Sequence, residues 1–283
     1  MFDQLLDVLS PQPTGDDVFT AVNMHPKAPR VYGGQVLAQC ISAAVDTVAT
    51  DRILHSQHAY FLRPGSPNKP IVLEVERARD GGSFSSRRVV ALQDGKPMLV
   101  SSMSFQKASR GDDYQPMAPA VPQPEDLPSE RELGLKAGSL HEDFMITTGT
   151  DLDFRVVEPI DWENPVPRDP ELQIWVKTTG KVPGELSENR GLHQALLAYI
   201  SDAFLIDVCM IIHGHYFMDP NLQVASLDHA LWFHEDFRAD EWLLHTVEAK
   251  RIGGGRGLAQ GNFFTREGKL VATTMQQGLI RFC

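Results

Sequence analysis

The sequence is poor in cysteine, and the cysteines it has form no recognisable pattern. Its 283 residues include only Cys40, Cys209 and Cys283, which are far apart and contain no Cys-x-x-Cys pair. This odd, scattered set predicts neither a disulfide framework nor a cysteine metal site. Basic residues are also outnumbered, with 26 Lys and Arg against 37 Asp and Glu, for a net charge of −11. That balance argues against nucleic acid or an anionic membrane as a partner.

Long apolar runs and a basic N-terminus are missing as well. No apolar run is long enough to span a bilayer, and residues 1–7 carry acidic side chains where a secretion signal carries basic ones. These features predict a cytoplasmic protein without a membrane partner. The 42% hydrophobic content indicates a globular chain. Its length allows one large domain or two of roughly 130 residues.

Two segments have the pattern of buried helices. Through residues 188–206, apolar side chains recur at helical spacing until little of the helix can face water. Residues 32–45 are apolar nearly all round and open on two glycines. Asp202 lies within the first of these helices with no Lys or Arg one turn away. Such a carboxylate must find donors elsewhere, pair with a distant arginine, or take up a proton.

The second half of the chain repeats the first. Each predicted helix is followed by four strand-like runs separated by turn residues, the chemistry of antiparallel hairpins. Short motifs recur at an offset of 171 to 173 residues; among them are Asp94-Gly95-Lys96 with Glu267-Gly268-Lys269, and Ser101-Ser102-Met103 with Thr273-Thr274-Met275. An internal repeat of this size predicts two copies of one module.

The predicted fold class is therefore α+β, with an antiparallel sheet wrapped around a central helix in each module. The N-terminal module covers residues 1–110 and the C-terminal module residues 151–283. A proline-rich linker, residues 111–150, joins them. We expect the two sheets to pair edge to edge.

Five ordered motifs resemble the type II acyl-CoA thioesterases. They are Val31-Tyr-Gly-Gly-Gln-Val, His58-Ala-Tyr-Phe-Leu-Arg-Pro-Gly, Arg79-Asp-Gly-Gly-Ser-Phe-Ser-Ser-Arg-Arg-Val, Leu227-Asp-His-Ala-Leu-Trp-Phe-His, and the run from Arg256-Gly to Gln276-Gln-Gly. The resemblance covers nearly the whole chain and implies a tandem double-hotdog fold. It further implies association into homo-oligomers and a place in fatty acid metabolism.

The resemblance also implies an activity and its residues. The family hydrolyses acyl-CoA thioesters to free fatty acid and CoA, with no cofactor and no metal. An Asp, a Thr or Ser, and a Gln hold the attacking water, and by position these are Asp202, Ser226 and Gln276. The hydroxyl residue is often Thr in the family and is Ser226 here, so its rotamer is less restrained.

The residues support this assignment independently. Alternation along the last strand places Gln276 on a mostly apolar, inward face and Gln277 on the other. An inward Gln needs hydrogen-bond partners. Ser226 does not lie in a Gly-x-Ser-x-Gly elbow, which disfavours an acyl-enzyme and favours direct hydrolysis with Asp202 as general base. For the oxyanion, the helix-start amides at Gly191 and at Gly33–Gly34 are both candidates.

The repeat supplies an internal control. The first-half counterpart of Asp202 is Ala43, Ala44 or Val45, depending on register, while Ser104 answers Gln276 and His55 answers Ser226. Polar groups found in one copy alone are not required by the shared fold, so the reactive site is predicted in the second half. His58 and His229, which match each other, are expected to be architectural.

Other hypotheses remain. A hydratase acting on an enoyl thioester would pair Asp with His193 or His213, and a non-catalytic acyl-CoA-binding protein would need no base. The histidines 213, 215, 229 and 234 have no metal-ligand spacing, so no metal site is predicted. Four arginines near turns are possible contacts for CoA phosphates; they are Arg87, Arg88, Arg251 and Arg256.

Overall fold

One antiparallel sheet of thirteen strands runs through the part of the chain that the computed structural model describes, residues 2–137, 151–161, 164–217 and 219–283. The strands are β1 (Gln12–Gly15), β2 (Val18–Ala21), β3 (Ile53–Phe61), β4 (Ile71–Asp80), β5 (Phe84–Gln93), β6 (Lys96–Gln106), β7 (Leu152–Val156), β8 (Glu171–Thr178), β9 (Leu222–Ser226), β10 (Asp228–Phe233), β11 (Leu243–Gly253), β12 (Arg256–Thr265) and β13 (Leu270–Phe282). The helices are α1 (Phe2–Val8), α2 (Gly33–Val45), α3 (Glu130–Ala137), α4 (Arg190–Ser201) and α5 (Val208–Ile211). The α+β class is confirmed, although α1, α3 and α5 were not predicted.

The sheet is continuous because the two halves join at β3 and β10. The strand order is β1-β2-β4-β5-β6-β3-β10-β13-β12-β11-β8-β7, and β9 pairs with β13 off this path. His58 pairs with Ala230 at the centre of the junction. The edge-to-edge pairing is thus confirmed. The module boundaries at residues 110 and 150 stay a prediction, and residues 138–150 of the predicted linker lie outside the described residues.

Local sequence explains the hairpins. The β5–β6 turn has positive φ at Asp94 (51°) and Gly95 (70°), the backbone that an Asp-Gly pair adopts readily. In the second half, Gly253 ends β11, and Gly254 and Gly255, with φ of 62° and 72°, form the turn to β12, as the turn residues between the strand-like runs predicted.

The first strand-like run after the helix predicted at residues 188–206 forms two strands in the structure. The run from Val224 to Phe233 is interrupted at Leu227, whose amide donates to the carbonyl of Gln277. Upstream of the break, β9 pairs with the end of β13, and downstream β10 pairs with its middle. The two strands therefore pair one after the other with successive stretches of β13.

The two predicted central helices are present, buried, and packed on one another. Helix α2 matches the prediction. Helix α4 is shorter than predicted, because it ends at Ser201 and Asp202 is its C-cap. The chain then turns through Phe204, whose φ of 66° is left-handed, before α5 begins. No described helix is long and apolar enough to cross a membrane.

Candidate active site

Three polar side chains meet at the C-terminal end of α4. Gln276 Nε2 donates to Asp202 Oδ1 at 2.5 Å and to Ser226 Oγ at 2.9 Å. The other carboxylate oxygen, Asp202 Oδ2, accepts the backbone amide of Gly34 at 2.9 Å. The structure thus places the three residues assigned from the sequence in one hydrogen-bonded group.

Strand register explains how the three residues meet. Ser226 is the last residue of β9 and pairs with Gly278, two residues beyond Gln276 on β13. Gln276 is 1% exposed and points to the helix side of the sheet. Asp202 reaches the same point because it is the C-cap residue of α4. Its carboxylate accepts hydrogen bonds from Gly34 and Gln276, which lie outside that helix.

Glycine at the start of α2 permits this close approach. A Cβ at Gly33 would lie 2.7 Å from Asp202 Oδ2, and one at Gly34 would lie 2.5 Å from the carbonyl oxygen of Tyr199. The Tyr32 hydroxyl donates to that same carbonyl at 3.0 Å. The start of α2 is therefore fixed against the end of α4.

The other glycine at a helix start is elsewhere. Gly191, at the start of α4, lies against Val45, where an added Cβ would meet Val45 Cγ1 at 3.0 Å. It belongs to the opposite end of the helix pair. Of the two candidate sources of oxyanion amides, only Gly33–Gly34 lies at Asp202.

The site disfavours charge on its carboxylates. Burial raises the pKa of Asp202 above its ordinary value of 3.8, against the opposing hydrogen bonds from Gln276 and the Gly34 amide and the charge of Arg30. Burial, with the nearby charge of Asp202, raises the pKa of Asp207 to about 6. A carboxylate that holds a proton more tightly than usual is a stronger base when ionised.

The first half has apolar residues at the corresponding places. Val45 packs against Gly191 as Asp202 packs against Gly33. The two halves are related about the pair His58–Ala230, which makes the buried Ala59 and Leu231 equivalent. Ala59 pairs with Ser101 and Leu231 with Thr274, so Met103, two residues beyond Ser101, is the counterpart of Gln276. The structure thus corrects the assignment of Ser104 to that role.

Ser104 alternates with the buried Met103 and Phe105 and therefore lies on the other face of the sheet. There its hydroxyl is 2.8 Å from Nε2 of His55, the residue matched to Ser226. The two sequence-matched counterparts thus contact one another, away from the helices. Only the second half carries the polar group described above.

The other candidate histidines have separate partners. His193 is buried at the start of α4, where Nδ1 accepts the Ala239 amide and Nε2 lies 2.9 Å from the Ser187 carbonyl. Nine residues of helix place it about 13 Å from Asp202. His213 is exposed. Neither histidine forms the Asp–His pair that a hydratase would use.

The histidines considered for a metal are also dispersed. His215 contacts Asp219, His229 contacts Ser201, and His234 contacts Thr273. Among the described residues, no group of three or more His, Cys, Asp or Glu side chains is arranged to hold a metal ion.

Arg87 is unsuited to binding a phosphate of CoA. It is 1% exposed and donates to Thr47 and to the carboxylate of Asp80. Arg88 is exposed and pairs with Glu76.

Sequence reasoning overlooked Arg30, whose charge acts on Asp202 and whose Nη2 donates to the Val224 carbonyl at 3.2 Å. Nothing in its sequence context distinguishes it.

Comparison with known proteins gives concordant results. A family model described as acyl-CoA thioesterase matches residues 166–279, and one described as acyl-CoA thioesterase N-terminal domain matches residues 20–106. Acyl-CoA thioesterase 2 of Haemophilus influenzae is 37% identical over 100% of this chain and 98% of its own. Human acyl-coenzyme A thioesterase 8 is 34% identical over 97% of this chain and 88% of its own.

Solved structures agree with the architecture. The crystal structure of an acyl-CoA thioesterase II from Mycobacterium marinum has a TM-score of 0.79 at 35% identity, covering 100% of this chain and 97% of that one. A hot dog fold protein of unknown function from Alicyclobacillus acidocaldarius has a TM-score of 0.77 at 16% identity, covering 98% and 97%. At that identity the second likeness shows the fold alone. The predicted double-hotdog fold is confirmed.

Proposed function

Because this chain belongs to the type II acyl-CoA thioesterase family, we propose that Asp202, Ser226 and Gln276 carry out the hydrolysis of acyl-CoA to free fatty acid and CoA. The observation that supports this assignment is the single hydrogen-bonded group that the three side chains form around Gln276 Nε2. It combines a base with a raised pKa, a hydroxyl and an amide at one place, which is what holding and deprotonating a water requires.

The reaction follows from these positions. Water is held by Asp202 and Ser226, which the amide of Gln276 fixes in position, and it faces the thioester carbon. Asp202 accepts a proton from the water as the oxygen attacks, and the tetrahedral intermediate then expels the CoA thiolate, which is protonated to the thiol. The Gly34 amide donates to Asp202. The Gly33 amide, at the start of α2, is therefore the proposed donor to the oxyanion.

The alternatives are less well supported. A hydratase needs a histidine beside the aspartate, and His193 lies at the other end of α4 with both ring nitrogens engaged. A non-catalytic binding protein has no need of a desolvated carboxylate held by the neutral side chains of Gln276 and Ser226, because burying such a group costs stability.

The deciding experiment measures free thiol. Purified protein incubated with a series of saturated acyl-CoA substrates is expected to release CoA thiol continuously, detected with a thiol reagent. Enoyl-CoA hydration releases no thiol, and stoichiometric binding releases none either. Absence of thiol release across all chain lengths would contradict the proposal.

The pH dependence follows from the raised pKa of Asp202. Only the ionised carboxylate can accept a proton, so kcat is expected to rise with pH through the pKa of Asp202 in the folded protein and to be lost below it. Since burial raises that pKa, the acid limb should have its midpoint above 3.8. A plateau in kcat extending below pH 3.8, measured by thiol release under conditions where circular dichroism shows folded protein, would contradict this expectation.

We also propose self-association, a cytoplasmic location and a role in fatty acid metabolism, with no nucleic acid or membrane partner for this acidic chain. Large apolar side chains on the first half of the sheet favour association, because Tyr60, Leu62 and Phe84 are 62%, 47% and 48% exposed. Sedimentation at micromolar concentration is expected to show a species larger than a monomer. A monomer alone would contradict this part of the proposal.

A further inference from the structure

The amide of Gln276 is only half satisfied by the site. Both of its Nε2 hydrogens are used, one on Asp202 and one on Ser226. Its Oε1 is buried and hydrogen-bonds no group among the described residues. If the amide flipped, the oxygen would face the carboxylate of Asp202, and both the attraction and the alignment of the water would be lost. A donor at Oε1 would fix the orientation that catalysis needs.

Two other buried polar atoms lie beside Gln276 and also lack a partner within the described chain. Thr274 is 0% exposed, two residues away on the same face of β13, and its Oγ1 is unpaired. His229 is 1% exposed, and its Nδ1 is unpaired. Ala230 pairs with Met275, so their neighbours His229 and Gln276 lie side by side on adjacent strands. The three residues thus lie together on the face of the sheet that α4 covers.

Hydrogen-bond accounting assigns a role to each atom. Ser201 Oγ is 3.0 Å from the carbonyl of Ala198, to which it donates its only hydrogen, and 3.0 Å from His229 Nε2. His229 must then donate from Nε2. Burial lowers its pKa to about 3, so the ring is neutral and its Nδ1 is an acceptor. Gln276 Oε1 is also an acceptor, whereas the Thr274 hydroxyl can donate.

We propose that one ordered water occupies this area, donates to Gln276 Oε1 and His229 Nδ1, and accepts from Thr274 Oγ1. A water has two hydrogens to give and lone pairs to receive one, and three hydrogen bonds are typical of buried waters in proteins. This water is distinct from the reacting water, which lies on the Nε2 side of the amide. Thr274 and His229 are then positioning residues that act through Gln276. The inference rests on the proposed role of Gln276.

The space for this arrangement depends on Gly261. A Cβ there would lie 2.8 Å from Thr274 Oγ1 and 2.4 Å from Nε2 of His245, another buried atom without a described partner. Glycine at this position on β12 leaves the Thr274 hydroxyl unobstructed. The polar residues on this face of the sheet thus extend to His245 on β11, two strands beyond β13.

The test uses a matched pair of variants. Thr274→Val removes the hydroxyl at nearly constant volume, and Thr274→Ser keeps it. We expect Thr274→Val to lower kcat about tenfold with KM within about twofold, because a misoriented Gln276 mispositions the water rather than the substrate. Losing the Gln276 hydrogen bond should also raise the pKa of Asp202 and move the acid limb of kcat to higher pH. Thr274→Ser should restore both values.

A crystal structure of the unsubstituted protein, at a resolution that shows ordered waters, is the second measurement. It should show a water within hydrogen-bonding distance of Gln276 Oε1, His229 Nδ1 and Thr274 Oγ1. Its absence would overturn the inference, even if Thr274→Val failed to fold. Unchanged kcat and an unchanged acid limb in folded Thr274→Val would also overturn it. Loss of activity in Gln276→Ala beside normal Thr274→Val would separate this failure from failure of the proposed function.

Discussion

Replacing Asp202 with asparagine is expected to lower kcat for acyl-CoA hydrolysis by a factor of about 10² to 10⁴, the usual contribution of a general base. Asparagine keeps the shape of the side chain and can still accept the Gly34 amide. Its Nδ2 then faces Gln276, whose amide can turn its oxygen toward it, but asparagine cannot take a proton from the attacking water. Steady-state thiol release by the purified variant measures the effect. Near-normal turnover would show that the base lies elsewhere.

The same variant should not be less stable, and this separates chemistry from folding. Burial raises the folded-state pKa of Asp202 above the unfolded value, so the ionised carboxylate costs stability at any pH above the folded-state pKa, and that cost is relieved as pH falls from the folded-state pKa to the lower unfolded-state value. Asp202→Asn removes the cost, and its melting temperature at neutral pH is expected to equal or exceed that of the parent. Ser104→Ala, on the opposite face of the first-half sheet, is the control, with turnover within about a few-fold of the parent.

Replacing Gln276 with alanine is expected to lower kcat about a hundredfold, because Asp202 and Ser226 lose the amide that fixes them and the attacking water loses its alignment with the thioester carbon. KM should change much less, since the side chain contacts Asp202 and Ser226 and takes no part in holding the bulk of the substrate. Thiol-release assays over a range of substrate concentrations give kcat and KM separately.

The neighbouring Gln277 provides a matched control for this prediction. It has the same side chain and the same strand, but it is more exposed than Gln276 and alternates to the other face. Gln277→Ala should keep turnover within about twofold of the parent. Equal losses in the two variants would indicate damage to β13 itself. Ser226→Thr should also be tolerated, because the hydroxyl is retained.

The sequence determined the local features of this protein. The periodicity of apolar residues predicted α2 and most of α4, alternation predicted the inward face of Gln276, and the turn residues predicted the hairpins, because each depends on contacts between residues close in the chain. The motif resemblance identified Asp202, Ser226 and Gln276. The structure places those three side chains in one hydrogen-bonded group, and their catalytic role stays a prediction.

Tertiary structure alone decided how the site is built. Helix α4 ends one residue before Asp202, and the carboxylate is held by a glycine amide from α2 and an amide side chain from β13. The Ser104 correspondence was wrong because a shift of one residue in a strand transfers a side chain to the opposite face, and only the pairing between strands fixes that register. The unpaired atoms of His229 and Thr274 were likewise invisible in the sequence, since burial and hydrogen bonding depend on elements distant in the chain.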